Sequence, residues 1–349
     1  MNILAIESSC DETAAAVVKD GVTSVCGTIA TSKELHEKTG GIVPEVAARK
    51  QVEFIVPVIS DTLEKFEKIT GLDPYQGIDA IAVTIGPGLI GSLIVGIESA
   101  KALSFVWEKP LIPVNHLIGH LYANFIDNPE SLSFPMIGLV VSGGHTDIIL
   151  MRGHYDFEYL GGTLDDAAGE AFDKTARLLG ISKYLGGAKL SKLATEYEKD
   201  EFKGVLPRPM ITHDSFDFSF SGLKTAVKRF VELNQLNETQ VKNFAFEFEN
   251  AVVDVLVSKT IKAALKHNVK TIILGGGVSA NTKLRQRMQT ECEKNSILLN
   301  VPPFELCTDN AVYIAGSAYF LQQKYGIDKF KNIDYSNIKA NPSLDIMQF

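Results

Sequence analysis

The two halves of the chain repeat one pattern of predicted elements. Each half opens with short apolar strands joined by a polar or glycine-rich turn, at residues 8–12 and 142–144. Each half later has a buried strand, a Gly-x-Gly loop and a helix, around residues 86–88 and 275–277. Because 349 residues is also about twice a common domain length, we expect two lobes.

This duplication predicts an α/β fold. In actin-like ATPases and sugar kinases, two such halves face each other across a cleft and hold nucleotide phosphates with their hairpin turns. The pattern by itself fits that architecture and a generic doubly wound sheet equally well. We expect an N-terminal lobe over residues 1–134, to which a last helix at 308–325 returns, and a C-terminal lobe over 135–307. A break rich in Pro, Asn and Ser at 128–135 separates the lobes, and 326–349 reads as a polar, loosely packed tail.

Composition excludes several classes of protein. A net charge of −8 argues against a protein that coats nucleic acid by bulk electrostatics, although a local basic patch is compatible with it. The four cysteines form no Cys-x-x-Cys pair, which argues against a disulfide framework or a zinc ribbon. The first residues lack a basic n-region, and no apolar run approaches the roughly 18 residues of a membrane span. We therefore expect a cytoplasmic protein without a membrane partner.

A histidine pair is the strongest sign of chemistry. His116 and His120 are four residues apart in an apolar helical segment, so both imidazoles project from one face. This spacing predicts a metal site. The metallopeptidase version of the motif requires Glu directly after the first His as the general base. Leu117 occupies that position, so a peptidase would lack its catalyst.

Several acidic residues have both a structural and a functional interpretation. Asp309 stands at the predicted start of the last helix, where it is either an N-cap or first-turn carboxylate favoured by the helix dipole, or a third metal ligand. Asp11 and Glu12 lie at the tip of the first hairpin, where turn chemistry alone explains them. Asp173, in a predicted helix at 165–179, is either an acceptor for ribose hydroxyls or a surface acid. Sequence spacing leaves these alternatives open.

Two glycine turns predict anion binding with different strength. Successive N–H groups at 142–144 can cradle a phosphate, but Gly-Gly is equally a common hairpin turn. Residues 275–277 end a buried strand and open a helix, which is typical of nucleotide contact, with a glycine cluster that serves packing alone as the alternative. A solvated face or an RNA-binding surface explains the basic residues of the second half, which are Lys183, Lys189, Lys192, Arg208, Lys224, Lys228 and Arg229.

The motifs together resemble one family. Matching stretches, in the order of the family and over most of the chain, are 7–13, 40–45, 86–89, 116–120, 141–146, 165–174, 218–225, 276–281 and 307–310. They resemble the bacterial TsaD family of tRNA threonylcarbamoyladenosine transferases, once named O-sialoglycoprotein endopeptidases. The resemblance implies the duplicated actin-like (ASKHA) fold, with two lobes around a nucleotide and metal cleft. It also implies transfer of threonylcarbamoyl from threonylcarbamoyl-AMP to N6 of adenosine 37 in tRNAs that read codons beginning with adenine.

The same resemblance implies roles for particular residues. His116, His120 and Asp309 would bind one divalent metal, Fe²⁺ with Zn²⁺ as the alternative. The adenylate would be held by Val140, Val141, Ser142, Gly143, Gly144, Asp173, Gly187 and Asn281. We hypothesise that Asp11 receives or steers the proton lost by the attacking amine, with Glu12 assisting. Expected partners are tRNA, a TsaB-like paralogue that pairs through the N-terminal lobe, and a TsaE-like ATPase.

The chain departs from the family pattern at several positions. Leu185 and Ala188 replace the usual prolines of a Tyr-Pro-Gly-Gly-Pro loop, which makes Gly187 a less secure contact than Asp173. Asn115 and Gln51 stand where further histidines are common.

Three other functions compete with the transferase. A small-molecule kinase or ATPase of the same fold would bind ATP on the same loops but needs no histidine pair. A metallopeptidase lacks its base. A non-catalytic scaffold of the TsaB type does not account for the intact set of His116, His120 and Asp309.

Overall fold

The computed structural model describes residues 1–127, 132–196, 202–331 and 333–349. The chain forms two compact units. The first unit comprises Met1–Leu132, Gly153–Asp156 and Pro302–Phe349, and the second comprises Ser133–Arg152 and Phe157–Val301. Residues 128–131, which begin the predicted break between the lobes, lie outside the described residues.

Each unit contains one five-stranded sheet, and the two sheets use their strands in the same order. The strands of the first unit are β1 (Asn2–Glu7), β2 (Glu12–Lys19), β3 (Thr23–Thr31), β4 (Ala80–Gly86) and β5 (Leu111–Asn115), and those of the second are β6 (Met136–Val141), β7 (Thr146–Gly153), β8 (Asp156–Gly162), β9 (Thr271–Gly275) and β10 (Leu298–Asn300). The orders are β3-β2-β1-β4-β5 and β8-β7-β6-β9-β10. In both sheets the first two strands pair antiparallel, and the fourth pairs parallel with the first and the fifth. The duplication seen in the sequence is therefore present in the topology, although the sequence pattern did not predict β8.

The helices occupy the connections between these strands. They are α1 (Lys33–Thr39), α2 (Pro44–Thr70), α3 (Pro74–Gly77), α4 (Ile90–Trp107), α5 (His116–Tyr122), α6 (Ala168–Leu178), α7 (Gly186–Thr195), α8 (Ser221–Leu233), α9 (Glu238–Lys266), α10 (Thr282–Lys294), α11 (Ala311–Tyr325) and α12 (Asp328–Lys331). The helical spacing of the apolar residues between 45 and 68 predicts a helix, and α2 confirms it by burying Ile55, Ile59 and Phe66 in the core of the first unit, although Val52 of the same pattern is exposed. Helix α6 begins at Ala168, three residues later than predicted, after a turn.

Helix α4 is, within the described ranges, the one helix long and apolar enough to span a membrane by length and composition. Its 18 residues have a mean hydropathy of 1.4, so the expectation that no run approaches this length is wrong. The helix packs on β4 and α2, and Leu93, Ile97 and Ala100 belong to the core cluster of the first unit. One face of α4 is thus buried in this core, whereas Ile94 and Phe105 on the same helix are 47% and 72% exposed.

The C-terminal segment is packed, in contrast to the loose tail expected from its polarity. Phe330, Ile338, Leu344 and Ile346 are each at most 8% exposed, and Ile338 belongs to the core cluster of the first unit. The apolar residues are too few and too widely spaced to give a periodic pattern. Their burial is decided by the surface on which they lie.

Candidate metal centre and nucleotide loops

A short, fully buried helix presents the two histidines. Strand β5 ends at Asn115, whose side-chain Oδ1 caps α5 by accepting hydrogen bonds from Leu117 N (2.9 Å) and Ile118 N (3.4 Å). His116 and His120 follow one turn apart, with ring centroids separated by 4.6 Å. The prediction that both imidazoles share one helical face is confirmed.

Asp309 reaches the histidines from the far end of the sequence. Asn310 is the N-cap of α11, so the interpretation of Asp309 as the cap is wrong. A Cβ atom at Gly119 would lie 2.7 Å from Ile314 Cδ1 in α11, so the absent side chain lets α5 and α11 approach closely. Asp309 Oδ1 lies 3.5 Å from His116 Nε2 and 3.6 Å from His120 Nε2.

These three residues have the donor set of a metal site. One ligand atom from each of His116, His120 and Asp309 lies within 4.8 Å of the others, a distance that a bound ion can bridge. Two imidazoles and one carboxylate leave coordination positions open, as in non-haem Fe²⁺ sites and catalytic Zn²⁺ sites. The residues present therefore fit a divalent metal, and the donor types suit Fe²⁺ and Zn²⁺ alike.

Glu7 supports this site and was missed by the sequence analysis. Its carboxylate is fully buried, with Oε2 at 3.0 Å from His116 Nδ1, and it accepts hydrogen bonds from Thr84 Oγ1 and Ser9 N, each at 2.6 Å. A carboxylate behind a ligating histidine fixes the tautomer and turns the other ring nitrogen toward the metal. The sequence did offer one signal for Glu7, since it is an acidic residue at the end of an apolar strand that is predicted to be buried.

The buried charges shift one another's pKa values. Burial lowers the pKa of His116, but the carboxylates of Glu7 and Asp309 more than offset burial and raise it to about 9. Burial raises the pKa of Glu7, yet the His116 cation and the hydrogen bonds to the carboxylate lower it overall. The pKa of Asp309 is raised, mainly by burial. The metal-free site therefore holds a proton on His116 at neutral pH.

Metal binding is expected to weaken as the pH falls. The raised pKa of His116 means that protonation stabilises the metal-free fold at low pH, a contribution lost as the pH rises through about 9. A metal must displace that proton, so its dissociation constant should rise about tenfold per pH unit below this value. Competition with a chromophoric chelator between about pH 6 and about pH 8 measures this. Glu7→Gln, which removes the carboxylate that raises the His116 pKa, should flatten the dependence, and a flat wild-type profile would contradict the prediction.

Asp11 and Glu12 lie beside this centre. Asp11 is 6% exposed, and its Oδ2 has no hydrogen-bond partner among the described residues. Burial, with Asp309 and Asp11, raises the pKa of Glu12 to about 9, although the ion pair with Lys33 opposes this. The turn thus offers one carboxylate oxygen without a hydrogen-bond partner in the described structure, next to a carboxyl group whose pKa is raised. Lys33 gave no recognisable signal in the sequence.

The second unit contains the glycine turn at 142–144. Ser142 N donates to His145 O (2.9 Å), which closes the turn between β6 and β7. Cβ atoms at Gly143 and Gly144 would meet nothing within 4 Å, so both backbones are accessible to a ligand. Val140 and Val141 are fully buried in β6. The turn, and not the valine side chains, is the accessible part of this predicted stretch.

The loop after β9 packs directly against that turn. Gly276 has φ +90°, and a Cβ there would lie 2.5 Å from Val141 O, so the position requires glycine. The loop continues through a 3₁₀ turn at Gly277–Ala280 to Asn281, the N-cap of α10. The predicted glycine loop and the hairpin turn therefore form one surface within the second unit.

Asp173 and Asn281 contact different residues of α7, which are Gly187 and Ser191. Asp173 Oδ1 accepts a hydrogen bond from Gly187 N (2.8 Å), and burial raises the pKa of this carboxyl. Asn281 Nδ2 donates to Ser191 Oγ (2.9 Å) and to Glu249 Oε1 (2.7 Å). Glu249 is 1% exposed, and the sequence analysis missed it because it lies in a long helix without a recognisable motif.

Two departures from the family pattern border this group. Leu185 is the residue before α7 and has φ +44°, a value that the ring of proline excludes. Ala188 lies in the first turn of α7. The loop before Gly187 is therefore shaped by a left-handed residue instead of by prolines.

Some of the basic residues considered for an RNA-binding surface form ion pairs within the chain. Arg208 pairs with Glu247 and Asp254, and Lys224 lies 3.4 Å from Asp166. Lys183 and Lys192 are exposed. The pairing of Arg208 and Lys224 favours a structural role for these two residues over a part in an RNA-binding surface.

Comparison with known proteins identifies relatives over nearly the whole chain. The family model described as "TsaD: tRNA N6-adenosine threonylcarbamoyltransferase" matches residues 24–316. A protein of that name from Thermomicrobium roseum is 48% identical, covering 93% of this chain and 93% of the relative. One from Symbiobacterium thermophilum is 51% identical, covering 91% of each.

Solved structures show the fold. Full-length HypF in its phosphate- and nucleotide-bound form is similar with a TM-score of 0.62 at 14% identity, covering 93% of this chain and 46% of HypF. The chain thus corresponds to about half the length of HypF. This likeness, with the two mixed sheets, confirms the actin-like α/β fold over the generic doubly wound sheet.

Proposed function

The chain belongs to the tRNA N6-adenosine threonylcarbamoyltransferase family, and from that membership we propose how its residues perform the transfer. The threonylcarbamoyl group moves from threonylcarbamoyl-AMP to N6 of adenosine 37 in tRNAs that read codons beginning with adenine. This membership favours the transferase over the kinase, peptidase and scaffold alternatives. The observation that carries the site assignment is the set of His116, His120 and Asp309, with Glu7 behind His116.

The metal-site residues would hold the threonylcarbamoyl end of the donor. His116, His120 and Asp309 would bind one divalent ion, which we propose to be Fe²⁺, with Zn²⁺ as the alternative. When bound, the ion supplies a Lewis acid that orients the threonyl carboxylate and polarises the acyl oxygen. Glu7 fixes the direction of the His116 ring, so the ligand geometry is set before the substrate arrives.

The glycine surface of the second unit would hold the adenylate. Of the backbone N–H groups at 142–144, those of the exposed residues Gly143 and Gly144 would stabilise charge on the departing phosphate, since Ser142 N already donates to His145 O. Asp173, with its pKa raised by burial, would contact the ribose together with Gly187. Asn281 already bonds Ser191, Glu249 and the first turn of α10, so we propose that it acts mainly by fixing the loop that begins at Gly276.

No protein nucleophile is needed for this reaction. The mixed anhydride of the donor is already activated, and holding amine and carbonyl together supplies much of the rate. The attacking N6 amine loses a proton, and Asp11 is the group we assign to receive or steer it. Its Oδ2, which has no hydrogen-bond partner among the described residues, supports this role, and Glu12, which contacts Lys33, would assist it.

The first unit has an apolar face suited to a protein partner. Val52 and Val56 on α2 are 62% and 66% exposed, and Ile90 and Ile94 on α4 are 48% and 47% exposed. The two residues of each pair lie one helical turn apart, and α2 and α4 contact each other. We propose this face for the TsaB-like paralogue, with a TsaE-like ATPase as a further partner. Size-exclusion chromatography of the mixed proteins, with and without Val52→Asp, tests the assignment, and equal complex formation by both would contradict it.

Reconstitution tests the function. The purified chain is combined with threonylcarbamoyl-AMP, unmodified tRNA, and the TsaB-like and TsaE-like proteins. Mass analysis of the nucleosides should show threonylcarbamoyladenosine, whereas a tRNA with guanosine in place of adenosine 37 should give none. Absence of the modified nucleoside from the complete mixture would overturn the proposed function.

A further inference from the structure

The C-terminal segment 341–348 contacts Asn115, the N-cap of the metal-site helix α5. Asn115 Nδ2 donates one hydrogen bond to Asp345 O (2.8 Å) and one to Gln348 O (2.9 Å). Its Oδ1 caps α5 through Leu117 N. Because Asn115 is 1% exposed and both of its amide N–H groups are used, the two contacts fix the orientation of the cap.

The same segment contacts the site by a second route. Pro342 O accepts a hydrogen bond from Gly88 N (3.2 Å). On its other side Gly88 is pressed against Ser9, since a Cβ at Gly88 would lie 2.5 Å from Ser9 O. Ser9 Oγ in turn lies 3.4 Å from His116 Nδ1. By the first route one residue, Asn115, separates the segment from His116. By the second route two residues, Gly88 and Ser9, separate them.

We propose that segment 341–348 is a positioning element for the metal site. It holds the Asn115 cap, and through it the direction in which α5 presents His116 and His120. Its loss lowers metal affinity although every ligand is retained, because groups that orient the ligands contribute about 10- to 100-fold to affinity. This inference rests on the proposed metal site.

Cobalt binding to the full-length chain tests the proposal, since Co²⁺ absorption reports coordination geometry. Asn115→Ser keeps an N-cap acceptor but loses both contacts to the segment. Deletion of residues 345–349 removes the same contacts from the other side. Each variant should bind Co²⁺ about tenfold more weakly, with altered visible bands. Because the deletion already removes both contacts of Asn115, the combined variant should bind Co²⁺ no more weakly than the deletion alone.

Control variants separate the possible outcomes. Asp334→Ala, which removes only local bonds from Ser336 N and Asn337 Nδ2 in the same region, should bind Co²⁺ like the wild type. If Asn115→Ser is folded and binds Co²⁺ with unchanged affinity and spectrum, the inference is wrong, even where the deletion fails to fold. Lower melting temperatures with unchanged binding also overturn it, because they show a structural role alone. If His116→Ala binds Co²⁺ normally, the proposed metal site itself fails.

Discussion

A His120→Ala variant is expected to lose its metal and almost all transfer activity. His120 Nε2 lies 3.6 Å from Asp309 Oδ1, and its removal leaves only two of the three proposed ligands. Metal affinity should fall by more than about 100-fold, beyond the usual effect of an outer group. Loss of the polarising ion should slow transfer by about three orders of magnitude, which corresponds to several kcal/mol. Metal analysis of the purified protein and single-turnover transfer to tRNA measure the two effects.

A matched control comes from a second histidine of the same unit. His154 stacks on Phe320 with ring centroids 3.8 Å apart and is not part of the ligand set. His154→Ala should therefore reduce stability but keep the metal and most of the transfer rate. Wild-type metal content and rate in His120→Ala would refute the ligand assignment.

An Asp11→Asn variant is expected to keep its metal but to transfer at least about 100-fold more slowly. The amide has nearly the same shape as the carboxylate, so the turn should remain intact. It cannot take up the proton of the attacking amine, and positioned proton transfer contributes about 10²- to 10⁴-fold. Single-turnover rates across a pH series, with metal content measured in parallel, test the role. A variant that retains full transfer activity on purified tRNA would contradict it.

Glu12→Gln provides the comparison for Asp11. Burial, with Asp309 and Asp11, raises the pKa of Glu12 to about 9 when no ion is bound, and glutamine resembles the protonated form of this side chain. Its effect on transfer should therefore be less than about tenfold. If Glu12→Gln lost more transfer activity than Asp11→Asn, Glu12 would be the group that receives the proton and Asp11 the group that assists. Melting curves of both variants show whether the Lys33 contact to Glu12 contributes to stability.

The secondary structure was readable where the pattern is local. Helix α2 and the strands flanking residues 142–144 have apolar spacing that depends only on near neighbours. Strand β8 alternates weakly and carries exposed residues, so the pattern did not reveal it. The packing of the C-terminal segment was also hidden, because its few apolar residues are buried by contact with distant elements.

The candidate site likewise has one part that the sequence predicts and another that depends on the fold. The sequence by itself determined the duplication, the shared helical face of His116 and His120, and the absence of a peptidase base at Leu117, since each follows from spacing of a few residues. Only the tertiary structure decided that Asp309 precedes the cap of α11 and meets the histidines, that Glu7 lies behind His116, and that the C-terminal segment holds Asn115. These contacts join residues more than a hundred positions apart, and their geometry depends on how α5 and α11 pack, which local periodicity does not encode.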